Sequence, residues 1–206
     1  MVDADYIMTV RSDGDVAAAI VETDAQLGYV STVSIDRQPY FLDYPFTDPD
    51  SSFSDHLAAA KHLKPKITVA PDIEKGLSLE ESIDQADQLA QYSDIVVIVP
   101  KSVHPSEVPS RFRVGLTLAN YGSNAPWMIW DYKSCRSIHL LGGPPYRQLE
   151  VLNYGLPVDS LDGFSLGVYA MWGIWDGKKQ SAPAHWDYQK RVKVCIDNYC
   201  DEIKQL

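Results

Sequence analysis

The sequence predicts an α/β protein of the (β/α)8 barrel type, and three observations carry that prediction. Short apolar runs rich in β-branched residues recur along the chain, as is typical of strands in a parallel sheet covered on both faces. Segments with a helical spacing of apolar residues lie between several of these runs. Eight such runs occur within 206 residues, and eight parallel strands in one domain favour a closed barrel over an open sheet.

The predicted strands are short and are dominated by Val, Ile, Leu and aromatic residues. They cover Tyr6–Val10, Gly28–Ile35, Ile67–Ala70, Ile95–Val99, Phe112–Leu118, Ile138–Leu141, Val158–Leu161 and Val168–Trp172. The chain is at the short end of the range for a barrel of this type. We therefore expect some of the helices to be short or missing.

Four helices are predicted between and after these strands. Ser78 followed by Glu81 has the spacing of a capping box, which marks the start of one helix. Gly155 is placed to end another helix, because glycine readily adopts the left-handed conformation. The helices cover Phe53–Leu63, Ser78–Gln91, Tyr146–Tyr154 and His185–Ile203, with the last of them packed on the outside of the barrel.

The composition favours a single domain spanning residues 1–206. No GxGxxG or GxxxxGK[ST] sequence occurs, which argues against a nucleotide-binding open sheet. The net charge of −10 has the wrong sign for attracting nucleic acid through the overall field. Either the ligand is not a polyanion, or a local basic patch binds it and the acidity belongs to a salt-adapted surface.

The chain shows no targeting or membrane signal. No apolar stretch reaches the roughly 18 residues that a membrane span needs. The N-terminal sequence Met-Val-Asp-Ala-Asp is acidic and lacks the basic opening of a signal peptide. We expect a cytoplasmic protein that does not bind a membrane, and the acidic composition would suit a halophilic host or one of its viruses.

Carboxylates at the ends of predicted strands are the candidate catalytic groups, because barrel enzymes place their chemistry at the C-terminal ends of strands. Asp36, Asp43, Asp72 and Asp162 occupy such positions, whereas Asp159 stands near a strand start. Two carboxylates at one rim suit substitution at an anomeric carbon, one as nucleophile and the other moving a proton. This chemistry needs no metal and no cofactor.

Glycines and one histidine offer less decisive signals. Gly142 and Gly143 follow a strand and precede a helix, so their amides either contact a ligand or form a tight turn. Gly115 either lets a flat base approach a strand end or relieves packing inside the barrel. His139 lies within a predicted strand and is expected in the core.

One segment resembles a known family. Residues 140–162, which read Leu-Leu-Gly-Gly-Pro-Pro and end in Val-Asp-Ser-Leu-Asp, are similar to the late-barrel segment of the tRNA-guanine transglycosylase superfamily. The resemblance implies that Asp162 is the nucleophile and that Asp159 matches the first aspartate of the family's Asp-x-x-Asp strand. The specific part covers residues 137–164, and weaker matches extend it to residues 28–165.

The weaker matches imply further roles. Phe41-Leu-Asp43 resembles the strand with the family's proton-transfer aspartate, and Pro71-Asp72 resembles the strand end that reads the base. Lys101-Ser102 replaces the usual Gln-Gly pair at a further substrate contact. Tyr44-Pro-Phe46 replaces the usual Ser-Gly-Gly after the early aspartate, so Asp36 competes with Asp43 for that role.

The family's cysteine-rich zinc site and C-terminal tRNA-binding elements have no counterpart in the sequence. This brings the chain closest to compact members that insert 7-deazaguanine bases into DNA. The resemblance thus implies a pentosyltransferase that replaces guanine with a preQ0-like base, in DNA rather than tRNA. Two other functions stay open, a nucleoside or glycoside hydrolase and a non-catalytic barrel that binds a base or a nucleic acid.

Overall fold

A closed barrel of eight parallel strands forms the centre of the molecule. The computed structural model describes residues 4–10, 14–31, 35, 37–74, 76–118 and 127–206. Each strand pairs in parallel with the next, and β8 closes the barrel by pairing with β1. The strands are β1 Asp5–Val10, β2 Gln26–Val30, β3 Phe41–Asp43, β4 Ile67–Val69, β5 Ile95–Ile98, β6 Arg113–Thr117, β7 Ile138–Leu141 and β8 Val158–Gly163. The predicted (β/α)8 fold is confirmed.

Six α-helices surround the barrel in the described ranges. They are α1 Asp15–Val21, α2 Phe53–Leu63, α3 Leu79–Leu89, α4 Pro145–Leu152, α5 Ser165–Trp172 and α6 Tyr188–Lys204. The connections after β5 and β6 contain short 3-10 turns among their described residues, at Pro105–Glu107 and Ile129–Tyr132. The expectation of short or missing helices is therefore confirmed. A small hairpin, β9 Ile174–Trp175 and β10 Lys179–Gln180, precedes α6.

The local signals in the sequence place the helices well. The Ser78 hydroxyl accepts from the Glu81 amide, and the Glu81 carboxylate accepts from the Ser78 amide, so the capping box is present. Gly155 has a left-handed φ of 67° just after α4. The final helix α6 packs on the outside of the barrel against α1 and α5, as expected. No helix in the described part of the chain is long and apolar enough to cross a bilayer.

One predicted strand is wrong and one strand was overlooked. Val168–Trp172 lies in α5, a helix whose apolar residues are spread around its whole circumference. A short apolar run without a polar face cannot be assigned to strand or helix by periodicity alone. The strand missing from the prediction is β3, which is only three residues long. The sequence indicates it only through the apolar residues that precede Asp43.

The inside of the barrel is filled with side chains, so it is a core and not a pore. An apolar cluster of Ile7, Phe41, Ile67, Val69, Val97 and Val99 occupies it. His139 is also inside, with its ring stacked on that of Phe41 at a centroid distance of 5.1 Å. A second, larger apolar layer lies between the strands and the helices.

The segment most specific in the sequence has the predicted form. Residues 137–164 contain β7, a loop with two glycines, α4 and β8. Asp162 is the last residue but one of β8, and Asp43 is the last residue of β3. Because all eight strands run parallel, both aspartates lie at the same end of the barrel, the carboxyl end.

Candidate active site

The carboxylate of Asp162 is buried and held from three sides. Its Oδ2 accepts from the Thr9 hydroxyl at 2.9 Å, and its Oδ1 accepts from the Gly142 amide at 3.1 Å. His139 Nε2 lies 3.3 Å from the same Oδ1. The residue is only 5% exposed, and burying a charge is costly unless hydrogen bonds replace water. These donors provide that replacement and fix the orientation of the carboxylate.

The loop after β7 is shaped to deliver one of these donors. Gly142 and Gly143 both have left-handed φ values, 62° and 85°. A Cβ on Gly143 would lie 2.7 Å from that of Leu118, so this position needs glycine. Gln148 of α4 donates to the carbonyl oxygens of Gly142 and Asp162, at 2.8 and 2.7 Å. Gly142 thus belongs to the site through its amide, whereas Gly143 fits the tight-turn alternative.

Asp43 lies close to Asp162 at this end of the barrel, and its surroundings change its pKa. Burial raises the pKa of Asp43 well above its usual range, and the negative charges of Asp162 and Asp72 raise it further. A hydrogen bond from the backbone of Tyr44 only partly opposes these effects. Two neighbouring carboxyl groups in such different surroundings are suited to opposite roles, one as proton donor and the other as anion.

A third carboxylate at the carboxyl end, that of Asp72, is paired with Lys101. Lys101 Nζ lies 2.5 Å from Asp72 Oδ2 and 2.6 Å from Glu74 Oε1. Burial raises the pKa of Asp72, and the hydrogen bond from Lys101 works against that rise. Burial tends to lower the pKa of Lys101, but its bonds to Asp72 and Glu74 outweigh this and raise it.

Two adjoining cavities open above these residues. The inner one has a volume of about 120 Å³ and the outer one about 600 Å³. Both are lined by Asp43, Tyr44, Phe46, Gly142 and Asp162. The inner cavity adds Val69, Asp72, Lys101, Thr117 and Leu141, and the outer one adds Thr9, Val10, Val16, Val30, Pro45, Thr47, Gly163 and Phe164. The inner cavity has room for a small group, and the outer one for a larger group attached to it.

The structure brings together Asp43, Asp72, Lys101, Gly142 and Asp162 of the predicted site residues. Asp36, the competitor of Asp43, lies outside the described residues.

Two of the predicted substrate contacts are corrected. Asp159 lies at the other end of β8, where it accepts from Ser137 and its carboxylate is 3.7 Å from the Arg113 guanidinium. It is a strand-start contact, separated from Asp162 because three residues of extended strand span about 10 Å. Gly115 lies inside the barrel, where a Cβ would come within 2.8 Å of Leu141 and Val99 side chains. Gly115 therefore relieves packing below the cavity.

Four residues of the site were not identified as such from the sequence. Thr9 is an inward-facing residue at the end of β1, which strand alternation from Ile7 could have indicated. His139 is buried in the core, as expected, but it also contacts Asp162. Tyr44 and Phe46 appeared only as departures from a family pattern, and they supply aromatic surface to both cavities.

A larger cavity of about 950 Å³ lies at the opposite, amino end of the barrel. Tyr40 there donates to Asp5 and accepts from Lys66 Nζ at 2.9 Å. Arg37, Lys64 and Asp94 also line this cavity. Its charged residues are exposed to solvent, which is typical of a structural rim.

Comparison with known proteins identifies a family but no activity. The model of a family of unknown function, DUF6610, matches residues 22–205. No curated protein matches the chain.

Three similar solved structures are phosphoribosylanthranilate isomerases. That of Thermotoga maritima is 15% identical, with a TM-score of 0.43 over 96% of this chain and 99% of that one. A monomeric form of the dimeric Thermotoga maritima enzyme is also 15% identical, with a TM-score of 0.41 over 96% and 98%. A complex with reduced 1-(o-carboxyphenylamino)-1-deoxyribulose 5-phosphate is 16% identical, with a TM-score of 0.42 over 96% and 99%. Likenesses of this size carry no argument about activity.

Proposed function

We propose that this chain, which belongs to the DUF6610 family, is a pentosyltransferase that exchanges guanine for a 7-deazaguanine base in DNA. The observation that carries the proposal is the pairing of Asp162 with Asp43 across one cavity. Asp162 is held by donors suited to its anion, whereas burial and neighbouring charge raise the pKa of Asp43. The resemblance of residues 137–164 to the tRNA-guanine transglycosylase superfamily supports the same assignment.

In the first half of the reaction, Asp162 Oδ2 attacks C1′ of the target nucleotide. The C1′–N9 bond breaks, and its electron pair leaves with the base. Asp43, whose protonated form is favoured by burial and by the neighbouring charges, gives its proton to the departing guanine. The products are a glycosyl ester on Asp162, neutral guanine and an ionised Asp43.

In the second half, a 7-deazaguanine such as preQ0 takes the place of guanine. The ionised Asp43 removes its N9 proton, and N9 then attacks C1′. The ester bond to Asp162 Oδ2 breaks and returns the electron pair to the carboxylate. Asp43 is protonated and Asp162 is free again, so both residues are ready for another cycle.

The division of the cavity suits a base attached to a polymer. The inner part offers the rings of Tyr44 and Phe46 for stacking and the carboxylate of Asp72 for a base N–H. Lys101, bound to Asp72, can offer its remaining proton to a base oxygen. The outer part would receive the sugar and its flanking phosphates. In a duplex the target base must leave the stack, at a cost of a few kcal/mol that aromatic stacking offsets.

The proposal is tested by incubating the protein with DNA or with tRNA and isotope-labelled preQ0, followed by mass spectrometry of the nucleosides. We expect label in DNA, and none with Asp162→Ala. Asp94→Ala, which removes a carboxylate from the amino-end cavity, should incorporate as the unchanged protein does.

Each other outcome assigns a different function. Label in tRNA alone would move the same chemistry to that polymer. Release of guanine without incorporation would identify a hydrolase that uses water as acceptor. Guanine binding without turnover, unaffected by Asp162→Asn, would identify a binding protein. Failure of the labelled base to enter either polymer would refute the exchange reaction.

A further inference from the structure

A chain of buried hydrogen bonds runs through the barrel interior from β6 to Asp162. Arg113 Nη1 lies 2.6 Å from the Ser160 hydroxyl, and that hydroxyl lies 2.6 Å from His139 Nδ1. His139 Nε2 then reaches Asp162 Oδ1 at 3.3 Å. Ser160 and His139 are completely buried. The chain joins the amino end of the barrel to the carboxylate at its carboxyl end.

The donors and acceptors among these groups determine the direction of each hydrogen bond. A guanidinium only donates, so the Ser160 oxygen accepts from Arg113. The single proton of that hydroxyl is then free for His139, and Nδ1 is the acceptor because Nε2 has to donate to the carboxylate of Asp162. The ring proton consequently lies on Nε2, which faces Asp162. A carboxylate only accepts, so this is the arrangement that the ionised Asp162 requires.

Both ends of the imidazole are fixed in place. Arg113 is itself anchored, because its Nε donates to Ser137 at 2.9 Å and its guanidinium lies 3.7 Å from the carboxylate of Asp159. The His139 ring stacks on Phe41, with an angle of 21° between the two planes. A flip of the ring would place a carbon against Ser160 and another against Asp162, so it would break both hydrogen bonds.

We infer that His139 is a positioning residue for Asp162, held by Arg113 and Ser160 in the tautomer that carries its proton on Nε2. This inference rests on the proposed function for its catalytic consequence. His139 does not line either cavity and touches no substrate. It acts by fixing which oxygen of Asp162 reacts.

The two oxygens of Asp162 become unequal as a result. Among the described residues, Oδ1 accepts from both Gly142 and His139, whereas Oδ2 accepts from Thr9. Oδ2 therefore keeps a lone pair for the bond to C1′, and Oδ1 becomes the carbonyl oxygen of the glycosyl ester. When the ester breaks, the returning charge spreads onto Oδ1, where the two donors stabilise it.

Kinetics of base exchange give the first test. His139→Leu removes the donor, and we expect kcat to fall about 10- to 100-fold, as for loss of a hydrogen bond to a charged group. The KM for preQ0 should change little, because His139 does not contact the cavity. His139→Gln, which can place an amide N–H near the Nε2 position, should recover a large part of kcat. Thermal melting of each variant verifies that it folds.

Nitrogen-15 NMR of the histidine rings gives a test that needs no activity. The protein has five histidines, and His139→Gln assigns the signal of interest by its loss. We expect His139 to show a protonated Nε2 and a bare Nδ1. In Ser160→Ala, which removes the proton donor to Nδ1, a mixture of tautomers should appear together with a lower kcat.

The outcomes separate this inference from the proposed function. If the protein exchanges bases and His139→Leu folds with an unchanged kcat, the positioning role is refuted. A proton on Nδ1 of His139 also refutes it. If the protein exchanges no base, the proposed function fails, and the NMR tautomer alone decides whether the chain from Arg113 to Asp162 exists as described.

Discussion

The two ends of the barrel both carry a cavity and charged side chains, yet they differ in how those charges are balanced. The amino end has the larger cavity, about 950 Å³, and its carboxylates lie beside Lys66, Arg113 or a tyrosine hydroxyl. At the carboxyl end, three aspartates line a smaller cavity, and Lys101 is the one cation among the described residues of its lining. Cavity volume alone would therefore select the end opposite to the proposed active site.

The two ends of the barrel also differ in how deeply their carboxylates are buried, and burial determines how strongly their charges interact. Asp159 at the amino end has a side chain that is 47% exposed, so water screens its charge. Asp162 is almost fully buried, and its charge reaches Asp43 with little screening. Perturbed carboxyl groups that share one cavity are a stronger indication of an active site than size.

The largest effect should come from removing the proton donor of the carboxyl end. Asp43→Asn cannot give a proton to the leaving base, so we expect base exchange to slow by about 10²- to 10⁴-fold. The matched change at the amino end, Asp94→Asn, should alter the rate by less than about threefold. Initial rates of labelled preQ0 incorporation measure both. Equal losses of incorporation rate in the two variants would contradict a catalytic difference between the two ends of the barrel.

The second effect concerns the free energy of unfolding at acidic pH, through a buried histidine beside strands β3 and β4. His56 in α2 donates through Nε2 to Thr68 at 3.1 Å, and Thr68 in turn donates to the carbonyl of Leu42 at 3.0 Å. Burial lowers the pKa of His56 to about 4, against about 6.5 in the unfolded chain. Between these values the unfolded chain binds the extra proton. The free energy of unfolding should therefore decrease as the pH falls from about 6.5 toward 4.

By linkage this loss amounts to about 2 to 3 kcal/mol at pH 4.5. His56→Gln has no titrating group, so its free energy of unfolding should depend less on pH over this interval by about that amount. Urea unfolding at pH 7 and pH 4.5 measures the difference. His62→Gln, a change on the exposed face of the same helix, should keep the pH dependence of the unchanged protein. An unaltered pH dependence in His56→Gln would contradict the assignment.

The smallest effect is a gain in stability in Asp43→Asn, the same variant that should lose base exchange. The raised pKa of Asp43 means that the folded protein binds more protons than the unfolded chain above pH 3.9. Stability therefore declines as the pH rises through the folded pKa. Asp43→Asn avoids this decline and should be more stable than the unchanged protein at pH 8, by an amount on the order of 1 kcal/mol.

Thermal melts at pH 4 and pH 8 measure that gain. The advantage of Asp43→Asn should be much smaller at the lower pH, because Asp43 of the unfolded chain is then about half protonated. Asp94→Asn provides the comparison from the amino end and should show little advantage at either pH. A destabilised Asp43→Asn at pH 8 would show that the carboxyl group is not strained by its neighbours.

The sequence predicted much of the fold because the relevant signals are local. The capping box at Ser78, the glycine at 155 and the apolar runs act within a few residues, and each had its expected place. The prediction is wrong where the local sequence pattern does not distinguish a strand from a helix. Residues 168–172 belong to α5, which packs against α6, and Val168, Met171 and Trp172 are exposed there although they are apolar. No periodicity in the run reveals this.

The candidate site was predictable only in part. Asp43, Asp72 and Asp162 share a cavity because parallel strands bring their ends together. The strand assignment sufficed for Asp72 and Asp162, whereas Asp43 was indicated only by the apolar residues before it. Asp159 was misplaced because its distance from Asp162 along β8 puts it at the other end of the barrel. Tyr44 and Phe46 gained a role only once the cavity was formed.

By itself the sequence determined the alternation of strands and helices and the position of Asp162 at a strand end, because backbone preferences and hydrophobic patterning are local. Only the tertiary structure decided how that carboxylate is held and charged. Closure of β8 on β1 brings Thr9 within 2.9 Å of Asp162 across 153 residues of sequence. The raised pKa of Asp43 likewise depends on burial and on charges from β8 and the end of β4. Desolvation and Coulomb interaction depend on distance in space, and the order of residues along the chain does not specify that distance.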